Sequence, residues 1–491
     1  MHSINRLTVL LLVQAAVLMG RPHAGSDQEP GMESGDIGPS YTLADCIGMA
    51  LNHQAKQRIS EEALKAAEAL KKQAASAYWP RLDASALYSI TDEDPTFIFP
   101  ESTVQLPETF SQIMSALLGM NFDLPPMPVP EQRVRLMDNR NLAASVELTL
   151  PLFTGGIRSS LNRQADLGVE IARNEVRRTR NEIIRDVRKT YYAVILTDHL
   201  RAIGRDTYER LNATLDLTES LYMNGSGRVQ KTDYLKNKLI VDNIQALLVE
   251  LEKNGNLARS ALKFYVGLPW NAPIRTAEDR VPYEPLNEGL EATIQQLLYE
   301  NTDLKKVRLA MDIFDQKVKE SRGYLFPHIG LMGRYSRLFN DYDYGMMTPE
   351  NKEIWMAGVG VQYALFNGFR NRNKVRENEH RANRMRHQYA LFKNGLTLLA
   401  QSRFYELTAA RRNVEIARDV YATASENLDL VRRAYQIEIS TERDLIEAQI
   451  IEALMKARLE KSLYDHFQIR ADLEYLVAER VTDFTGGNPD E

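Results

Sequence analysis

An internal repeat limits the fold of this chain more than any other feature of its sequence. The stretch VELTLPLFTGGIR returns as VGVQYALFNGFRN, so Phe153 and Phe366 lie 213 residues apart. Tyr222 and Tyr435 have the same separation, which means that the residues between these markers contain no net insertion in either copy. A constant separation over this length predicts two structural units with the same architecture.

The separation between the copies changes at only two places. Asp233 and Asp444 lie 211 residues apart, so a two-residue change falls between the tyrosines and these aspartates. Pro80 and Pro327 lie 247 residues apart, so the first copy holds 34 additional residues between its proline and its phenylalanine. We predict that this surplus forms a long loop at about 91–139, because loops tolerate insertions.

The repeat also predicts the order of elements. Each copy contains a helix, a strand, a loop, a second strand and a long helical hairpin, and the first helix is expected at about 42–78 and again at about 288–324. The predicted segments are a signal peptide at 1–24, a flexible N-terminus at 25–40, repeat 1 at 41–264, a linker at 265–287, repeat 2 at 288–478 and a C-terminal tail at 479–491.

The start of the chain has the features of a secretory signal peptide. Arg6 supplies the positive end, Leu7 to Met19 the apolar stretch, and Ala24 a small residue for cleavage. The alternative is an uncleaved anchor, but the apolar run is shorter than the ~20 residues that a spanning helix needs. The single cysteine, Cys46, excludes an intrachain disulfide, and we expect it to be a small buried side chain.

Four segments alternate between apolar and polar residues with the period of a strand. Their apolar rows run from Leu82 to Ile90, from Leu142 to Leu152, from Ile329 to Tyr335 and from Trp355 to Leu365. One interpretation is a sheet packed on a soluble core. The other is a set of strands that cross a bilayer, since a tilted membrane strand needs about nine to eleven residues. The alternation by itself leaves both open.

Membrane strands in this number would require oligomers. An open sheet edge in lipid leaves backbone groups unpaired, at several kcal/mol each. Four strands per chain cannot close a barrel. Two copies would give about eight strands around a filled interior, and three copies would give about twelve strands and a lumen.

The helices are built to pack on helices. In the second copy, apolar residues are spaced alternately three and four apart, the pattern of a coiled coil. They are Leu407, Ala410, Val414, Ala417, Tyr421, Ala424, Leu428, Val431 and Tyr435. A helix of about 65 residues is about 100 Å long. Such a rod projects away from the strands, so we expect function at its end.

Composition and motifs argue against a nucleic-acid partner and against catalysis. The 61 basic residues are balanced by 66 acidic ones, so no basic footprint is present. The stretch GSGRVQKT looks like a phosphate-binding loop, but Gln230 occupies the place of the glycine that should precede Lys231. The eight histidines are scattered. We therefore expect no enzyme, no cofactor and no metal site.

The order of these motifs resembles the TolC-type outer-membrane efflux proteins, the exit ducts of tripartite efflux pumps and type I secretion systems. The resemblance covers nearly all of the mature chain. It rests on YTLADCIGMALNHQ, on the prolines of YWPRL and LFPHI, on PLFTGG and ALFNGF, and on the tip segments LYMNGSGRVQKTDYL and AYQIEISTERDLIEAQ. No single motif is specific, but their order occurs twice.

The resemblance implies an α+β membrane protein with four transmembrane β-strands and long α-helical hairpins per chain. As a homotrimer it would form one β-barrel in outer-membrane lipid and an α-barrel tunnel of helices in the periplasm, four strands and four helices coming from each chain. It would work with a periplasmic adaptor protein and an inner-membrane efflux pump or ABC exporter. The tunnel would open by rearrangement of the helix tips, and the substrate would pass unaltered.

The resemblance also implies a gate at the second tip. Tyr435 matches a tyrosine beside the narrowest part of the tunnel, and Asp444 and Glu447 match acidic positions that line it. The two acids lie one helical turn apart, so three copies would form an acidic ring that attracts cations. The alternative is that Asp444 only caps the start of a helix.

The tips are also the expected contact with the adaptor. The residues assigned to that contact are Tyr222, Gly225, Asp233, Glu438 and Ser440. Two of them depart from the family pattern, because Glu438 stands where a glycine is expected and Ser440 stands where some members have a gate-locking arginine. The resemblance therefore leaves the choice of adaptor and the lock of the closed state open.

A strand runs directly into a helix at TLPLFTGGIRSS, and we interpret this place as the joint between barrel and tunnel. Glycines let the backbone turn where a side chain would obstruct it. The residues assigned to the two joints are Pro80, Gly155, Gly156, Pro327 and Gly368.

Two other functions compete with the duct. A secreted coiled-coil scaffold would explain the helices and the signal, but not four strands at repeated positions. A passive general porin would need more strands per chain and would have no use for the rods. Nothing in the sequence favours one exported substrate, or one class of pump, over another.

Overall fold

The computed structural model describes residues 39–224, 230–286, 288–343 and 348–477. The expected signal peptide, the C-terminal tail and Gly225 lie outside these ranges. Among the described helices, none is both long enough and apolar enough to cross a membrane.

The first repeat begins with two helices, continues into strands and ends in a long helical hairpin. Its elements are β1 (Ser40–Tyr41), α1 (Leu43–His53), α2 (Ala55–Ser76), β2 (Arg81–Ile90), β3 (Thr96–Phe99), β4 (Ser102–Val104), α3 (Glu108–Leu118), β5 (Met127–Val129), β6 (Gln132–Arg135), β7 (Arg140–Phe153), α4 (Ile157–Met223) and α5 (Lys231–Val266). The segment predicted as a long loop is therefore partly folded, since β3 pairs with β6 and β4 pairs with β5.

The second repeat has the same helices and long strands in the same order, with one short helix in place of the folded loop of the first. They are α6 (Leu290–Glu300), α7 (Thr302–Gly323), β9 (His328–Phe339), α8 (Pro349–Lys352), β10 (Glu353–Gln362), α9 (Arg370–Gln436) and α10 (Glu442–Val477), preceded in the linker by β8 (Arg275–Thr276). Helices α4 and α9 both have 67 residues and helices α5 and α10 both have 36. Their starts lie 213 and 211 residues apart, which confirms the two tandem repeats.

The prediction of a single helix at the start of each repeat is wrong, because this helix is interrupted in both repeats. Gln54 and Asn301 adopt extended backbone angles at matching positions. The side-chain amide of Gln54 donates to the carbonyl of Tyr265 at 2.9 Å, and that of Asn301 donates to the carbonyl of Leu476 at 2.7 Å. Each break therefore ties the opening helices to the end of the hairpin in its own repeat.

The N-terminal segment expected to be flexible as far as residue 40 is fixed at its end. Ser40 and Tyr41 pair in parallel with Arg275 and Thr276 of the linker. The hydroxyl of Tyr191, a fully buried side chain on α4, donates to the carbonyl of Tyr41 at 3.0 Å. Backbone pairing and this buried hydrogen bond hold the start of repeat 1 against the linker.

The four long strands form one sheet in the order β10-β9-β7-β2, with all neighbours antiparallel. Leu82 of β2 lies opposite Leu148 of β7, and Tyr335 of β9 lies opposite Trp355 of β10. Residues opposite one another share a face of the sheet. The apolar rows of the four strands therefore lie on one face, as their alternation predicted.

This apolar face is bare in the described part of the chain. The side chain of Leu82 is 67% exposed and that of Trp355 is 78% exposed. The exposure argues against a sheet packed on a soluble core of its own chain.

The largest core cluster lies among the helices rather than beside the sheet. It forms where α1, α4, α5, α10 and the linker meet, and it contains Tyr191, Leu262 and Phe467. Cys46 is fully buried in it, and burial raises the pKa of its thiol to about 12. The helices therefore hold the chain together, and the sheet extends from one end of them.

Candidate functional site at the helix tips

The turn between α9 and α10 is built around Glu438. This residue has a φ of 61°, in the left-handed region that glycine adopts without strain. Its backbone N–H donates to the carbonyl of Tyr435 at 3.0 Å, and the N–H of Ile439 donates to the carbonyl of Ala434 at 2.8 Å. The backbone thus follows the path expected for a glycine, although a glutamate occupies the position.

Asp444 caps the start of α10. Its carboxylate accepts hydrogen bonds from the N–H of Thr441 at 3.0 Å and from the Thr441 hydroxyl at 2.6 Å. The N–H of Asp444 donates back to that hydroxyl at 3.2 Å, which completes a reciprocal cap. These hydrogen bonds lower the pKa of Asp444, which is fully exposed. The capping role that the sequence offered as an alternative is therefore present in the single chain.

Tyr435 and Glu447 have different surroundings. Tyr435 packs against the cluster of Leu428, Leu445 and Ala448, and burial raises the pKa of its hydroxyl. Glu447 is exposed, as Asp444 is. The structure therefore leaves both acids exposed and places the tyrosine in the packing of the hairpin.

The first tip is held by an aromatic pair. The rings of Tyr222 and Tyr234 stack with centroids 6.0 Å apart, and the Tyr234 hydroxyl donates to Glu219 at 3.2 Å. Asp233 accepts the N–H of Gln230 at 3.2 Å and caps α5, as its counterpart Asp444 caps α10.

A polar network that sequence reasoning missed joins the two tips. Asn237 on α5 donates to the carboxylate of Glu442 on α10 at 2.7 Å and contacts the hydroxyl of Thr218 on α4 at 3.2 Å. That hydroxyl also contacts Glu442, and Thr218 is completely buried. We call these three residues, Thr218, Asn237 and Glu442, the tip network.

The tip network is the last member of a row of polar contacts along α4 and α10. The pairs are Arg210 with Glu452 at 3.4 Å, His199 with Glu460 at 2.9 Å, Lys189 with Asp472 at 3.0 Å and Arg188 with Glu474 at 2.7 Å. In each pair α4 supplies the cation or histidine and α10 supplies the carboxylate. The hydrogen bond to Glu460 raises the pKa of His199. The row runs beside apolar contacts between the same two helices, such as that of Tyr192 with Phe467, whose ring centroids lie 4.4 Å apart.

A comparison of the two repeats in the sequence could have pointed to Glu442 of the tip network. Glu442 corresponds to Lys231 and Glu447 corresponds to Lys236, so acids of the second tip stand where the first tip has bases. A charge reversal in an otherwise matched pair marks a position with a different partner. The partner on α4, more than two hundred residues away, is not visible without the packing.

The two joints occupy the opposite end of the rods. Joint 1 is the residues 154–156 between β7 and α4, and joint 2 is the residues 363–369 between β10 and α9. Gly155 and Gly156 have φ values of 60° and 88°. In joint 2, Gly368 has a φ of 63° and is followed by Phe369 with a φ of 61°, so a phenylalanine takes the backbone conformation of the second glycine.

Packing distinguishes the joints. A Cβ on Gly155 would overlap the carbonyl oxygen of Gly323 at the end of α7 and would lie 2.9 Å from the Cβ of Phe326. No atom lies within 4 Å of a Cβ placed on Gly368. Pro80 and Pro327 directly precede β2 and β9. The first position of a strand tolerates a residue without an N–H.

Among the described residues, no group of three or more His, Cys, Asp or Glu side chains is arranged to hold a metal ion. In the single chain Asp233 and Asp444 cap helices, and Glu442 accepts a hydrogen bond from Asn237.

The sequence matches a known family over most of both repeats. The family described as "Outer membrane efflux protein" matches residues 131–268 and 293–478. The alkaline protease secretion protein AprF of Pseudomonas aeruginosa is 24% identical over 323 residues, which cover 62% of this chain and 65% of AprF.

Solved structures share the fold. The outer membrane protein VceC of Vibrio cholerae has a TM-score of 0.67 at 17% identity, over 89% of this chain and 95% of VceC. The outer membrane channel CmeC of Campylobacter jejuni has a TM-score of 0.67 at 13% identity, over 94% of this chain and 93% of CmeC. At these identities the likeness concerns the arrangement of the helices and strands.

Proposed function

The chain belongs to the outer membrane efflux protein family, and from that premise we propose that it is an outer-membrane exit duct. Three copies close one barrel from their sheets and one tunnel from their helical hairpins. Cargo moves through this duct without being chemically changed, so the chain acts as a channel and not as an enzyme.

The observation that carries the proposal is the direct connection of a bare apolar sheet to two long rods. The apolar face suits lipid, and each joint continues a strand into a 67-residue helix. At 1.5 Å per residue such a helix is about 100 Å long, enough to reach from the outer membrane far into the periplasm. A secreted scaffold would have no use for the sheet, and a general porin would have no use for the rods.

The gate of the proposed duct is at the tips. The tip network holds α10 against α4 and α5, and opening requires Glu442 to leave Thr218 and Asn237. Asp444 and Glu447 are exposed beside it and would form the acidic ring around the axis of the trimer. Carboxylates in a ring select cations. Tyr435 supports this arrangement from behind through its packing on Leu445 and Ala448.

The partners follow from the same proposal. The tips, with Tyr222, Asp233, Glu438 and Ser440, dock a periplasmic adaptor, which connects the duct to an inner-membrane efflux pump or ABC exporter. The name of AprF describes secretion of an alkaline protease. That name favours protein export as the cargo class to test first, with small-molecule efflux as the second candidate.

Conductance in planar lipid bilayers tests the proposal. The purified protein should give small, cation-selective currents at rest. Glu442→Ala removes the acceptor of the tip network and should raise the resting conductance, because the closed arrangement loses a hydrogen bond to a charged group. The matched control is Glu426→Ala, which removes an exposed acid from α9 away from the tip.

Three results would contradict the proposal. They are a protein that needs no detergent and gives no currents, a large resting conductance in the unchanged protein, and equal currents from Glu442→Ala and Glu426→Ala. The first result would favour a scaffold, and the second would favour a porin. The third would show that the tip network does not keep the channel closed.

A further inference from the structure

The apolar face of the sheet carries charged side chains at only one of its two ends. At the end next to the joints its rows finish in Leu150 of β7 and Ile329 of β9. At the opposite end Arg140 of β7, Arg337 of β9 and Glu353 of β10 continue the same rows. In the four strands, which the structure describes throughout, no other charged residue shares this face. The two ends of the face are therefore built for different surroundings.

The position of Arg140 along β7 fits the outer boundary of a membrane. Arg140 and Leu150 lie 10 residues apart. At about 3.3 Å per residue this length is ~33 Å, of which a strand tilted by about 40° covers ~25 Å along the membrane normal. The apolar band of an outer-membrane barrel is about 25 Å tall. Since the joints face the periplasm in the proposed duct, Arg140 lies at the level of the headgroups of the outer leaflet.

Exposed aromatic side chains mark the same boundary. Tyr88 of β2 lies on this face and is exposed. Tyr335 of β9, two residues before Arg337, lies opposite the exposed Trp355 of β10. Tyrosine and tryptophan are enriched where a membrane meets water, because one end of the ring is apolar and the other is polar. The charged end of the face therefore has the composition of an interface.

A cavity of about 500 Å³ lies among these charged and apolar side chains. Pockets that combine apolar walls with a few polar groups are typical of ligand sites. A ligand with a charged headgroup and acyl chains would match both kinds of group. The lining includes the cations Arg140, Arg337 and Lys352 and the apolar or aromatic side chains of Tyr88, Leu142 and Phe339.

Arg140 is the cation of this cavity that is most available to a ligand. It is exposed, it lies opposite the apolar Ile90, and its guanidinium forms no ion pair with any residue that the structure describes. Arg337, by contrast, pairs with Glu353 at 2.9 Å, and its guanidinium lies 4.9 Å from the ring centroid of Phe339. A guanidinium without a carboxylate partner can bind a phosphate through two N–H groups.

Carboxylates on the same cavity favour a headgroup that also carries hydroxyls. Lys352 donates to the carbonyl of Asn340 at 2.6 Å and to Asp343 at 2.5 Å, which uses two of its three donors. Asp341 lines the cavity and is exposed. A carboxylate repels a phosphate but accepts hydrogen bonds from a sugar hydroxyl. A phosphorylated sugar therefore suits the cavity better than a phosphate group alone.

We propose that this cavity binds the phosphorylated glycolipid of the outer leaflet, lipopolysaccharide, with Arg140 as the main contact to a phosphate. Arg337 and Lys352 supply further donors, and the acyl chains lie against Tyr88 and Phe339. This proposal rests on the proposed function, because only a sheet that crosses the outer membrane presents this face to the outer leaflet.

Lipid binding to the purified full-length protein tests the proposal. The three probes are lipid A with both of its phosphates, the same lipid after removal of the phosphates, and phosphatidylglycerol. Native mass spectrometry in detergent counts the lipid molecules bound to the protein. Lipid A should bind on the order of tenfold more tightly than either of the other probes, because only lipid A offers phosphates and sugar hydroxyls together.

Substitutions locate the site on the lipid-facing end of the sheet. Arg140→Gln should weaken the binding of lipid A by on the order of tenfold. Arg337→Gln should weaken it less, because Glu353 already occupies part of that guanidinium. The matched control is Arg334→Gln, on the same strand but on the opposite face, where Arg334 pairs with Glu147 at 3.3 Å. The control should bind lipid A as the unchanged protein does.

Three results would overturn the proposal. They are no binding of lipid A to the unchanged protein, binding of phosphatidylglycerol or of the dephosphorylated lipid that equals or exceeds that of lipid A, and an equal loss of binding in Arg140→Gln and Arg334→Gln. If the unchanged protein still gives small, cation-selective currents in phospholipid bilayers, only the lipid site falls and the duct stands. A protein that neither binds lipid A nor gives currents overturns both.

Discussion

The two joints follow the same backbone path in different surroundings. Both place two consecutive residues in the left-handed region, but joint 1 does so with two glycines and joint 2 with Gly368 and Phe369. Joint 1 lies against Gly323 at the end of α7, whereas joint 2 is open in the described chain. The comparison separates two reasons for a glycine. The backbone path is the same in both repeats, but within the described chain only the first joint is closely packed.

The two tips, like the two joints, share one structural feature and differ in another. Asp233 and Asp444 cap matching helices in the same way, which is a requirement of the helix start. The charges beyond the cap are reversed, since Glu442 and Glu447 stand where the first tip has bases. The caps that the repeats share therefore serve the fold, whereas Glu442, at a position where the repeats differ, binds Thr218 and Asn237.

The largest expected effect is a loss of stability that differs between the two joints. Gly155→Ala should destabilise the protein by about 3 kcal/mol, because the new Cβ adds overlap with Gly323 to the cost of the left-handed backbone. Gly368→Ala should cost only about 1 kcal/mol, since it adds the backbone cost alone. The temperature at which trimers dissociate in detergent measures both. Equal losses of stability in the two variants would contradict this prediction, because they would show that the residues around Gly323 move to accommodate the new Cβ at no cost.

The next effect distinguishes the tips by charge. Glu447→Gln should reduce the cation selectivity of the proposed channel, because a charge in the proposed acidic ring contributes about 1 kcal/mol, a factor of about five. Lys236→Gln at the matching position of the first tip is the control and should change selectivity little. Reversal potentials in a salt gradient give the permeability ratios. A larger change from the lysine variant would place the first tip, rather than the second, nearest the axis.

A smaller effect tests the turn of the second tip. Glu438→Gly should stabilise the protein by about 1 kcal/mol, because glycine adopts the left-handed backbone without strain. Glu426→Gly, in the interior of α9, should instead destabilise it by about 1 kcal/mol. The temperature at which the trimer dissociates measures the change in stability in both variants. A loss of stability in both variants would mean that the Glu438 side chain makes a contact in the assembly that outweighs its strain.

The smallest effect concerns pH at the contacts between α4 and α10. The hydrogen bond to Glu460 raises the pKa of His199 above its usual 6.5. A raised folded-state pKa contributes stability that is fully present below pH 6.5 and is lost as the pH rises through the folded value. His199→Gln should therefore cost most near pH 6 and least near pH 9 in melting experiments. A cost that does not change with pH would mean that the histidine is uncharged in the pair.

Much of the fold could be predicted because it depends on patterns in the local sequence. Alternation at period two placed the four strands, and the spacing of Phe153 and Phe366 placed the joints. The breaks at Gln54 and Asn301 were missed, because a polar residue in a helical pattern gives no sign that its amide binds a carbonyl more than 170 residues away.

The candidate site was less predictable than the fold. The capping role of Asp444 was foreseen as an alternative, and the structure adds Thr441 as the partner in the reciprocal cap. Glu442 was missed, although it lies only two residues earlier. Its partners Thr218 and Asn237 lie on other helices, and no local pattern specifies which residues meet when antiparallel helices pack.

The sequence by itself determined the four long strands, the long helices, the two repeats and the separations of 213, 211 and 247 residues that relate them. These depend on periodicity and turn residues, which act between near neighbours in the chain. Only the tertiary structure decided that Arg188 and Lys189 of α4 pair with carboxylates of α10, that Glu442 binds Thr218, and that Gly155 meets Gly323. Those contacts join residues distant in the chain, so they depend on how whole helices and strands pack.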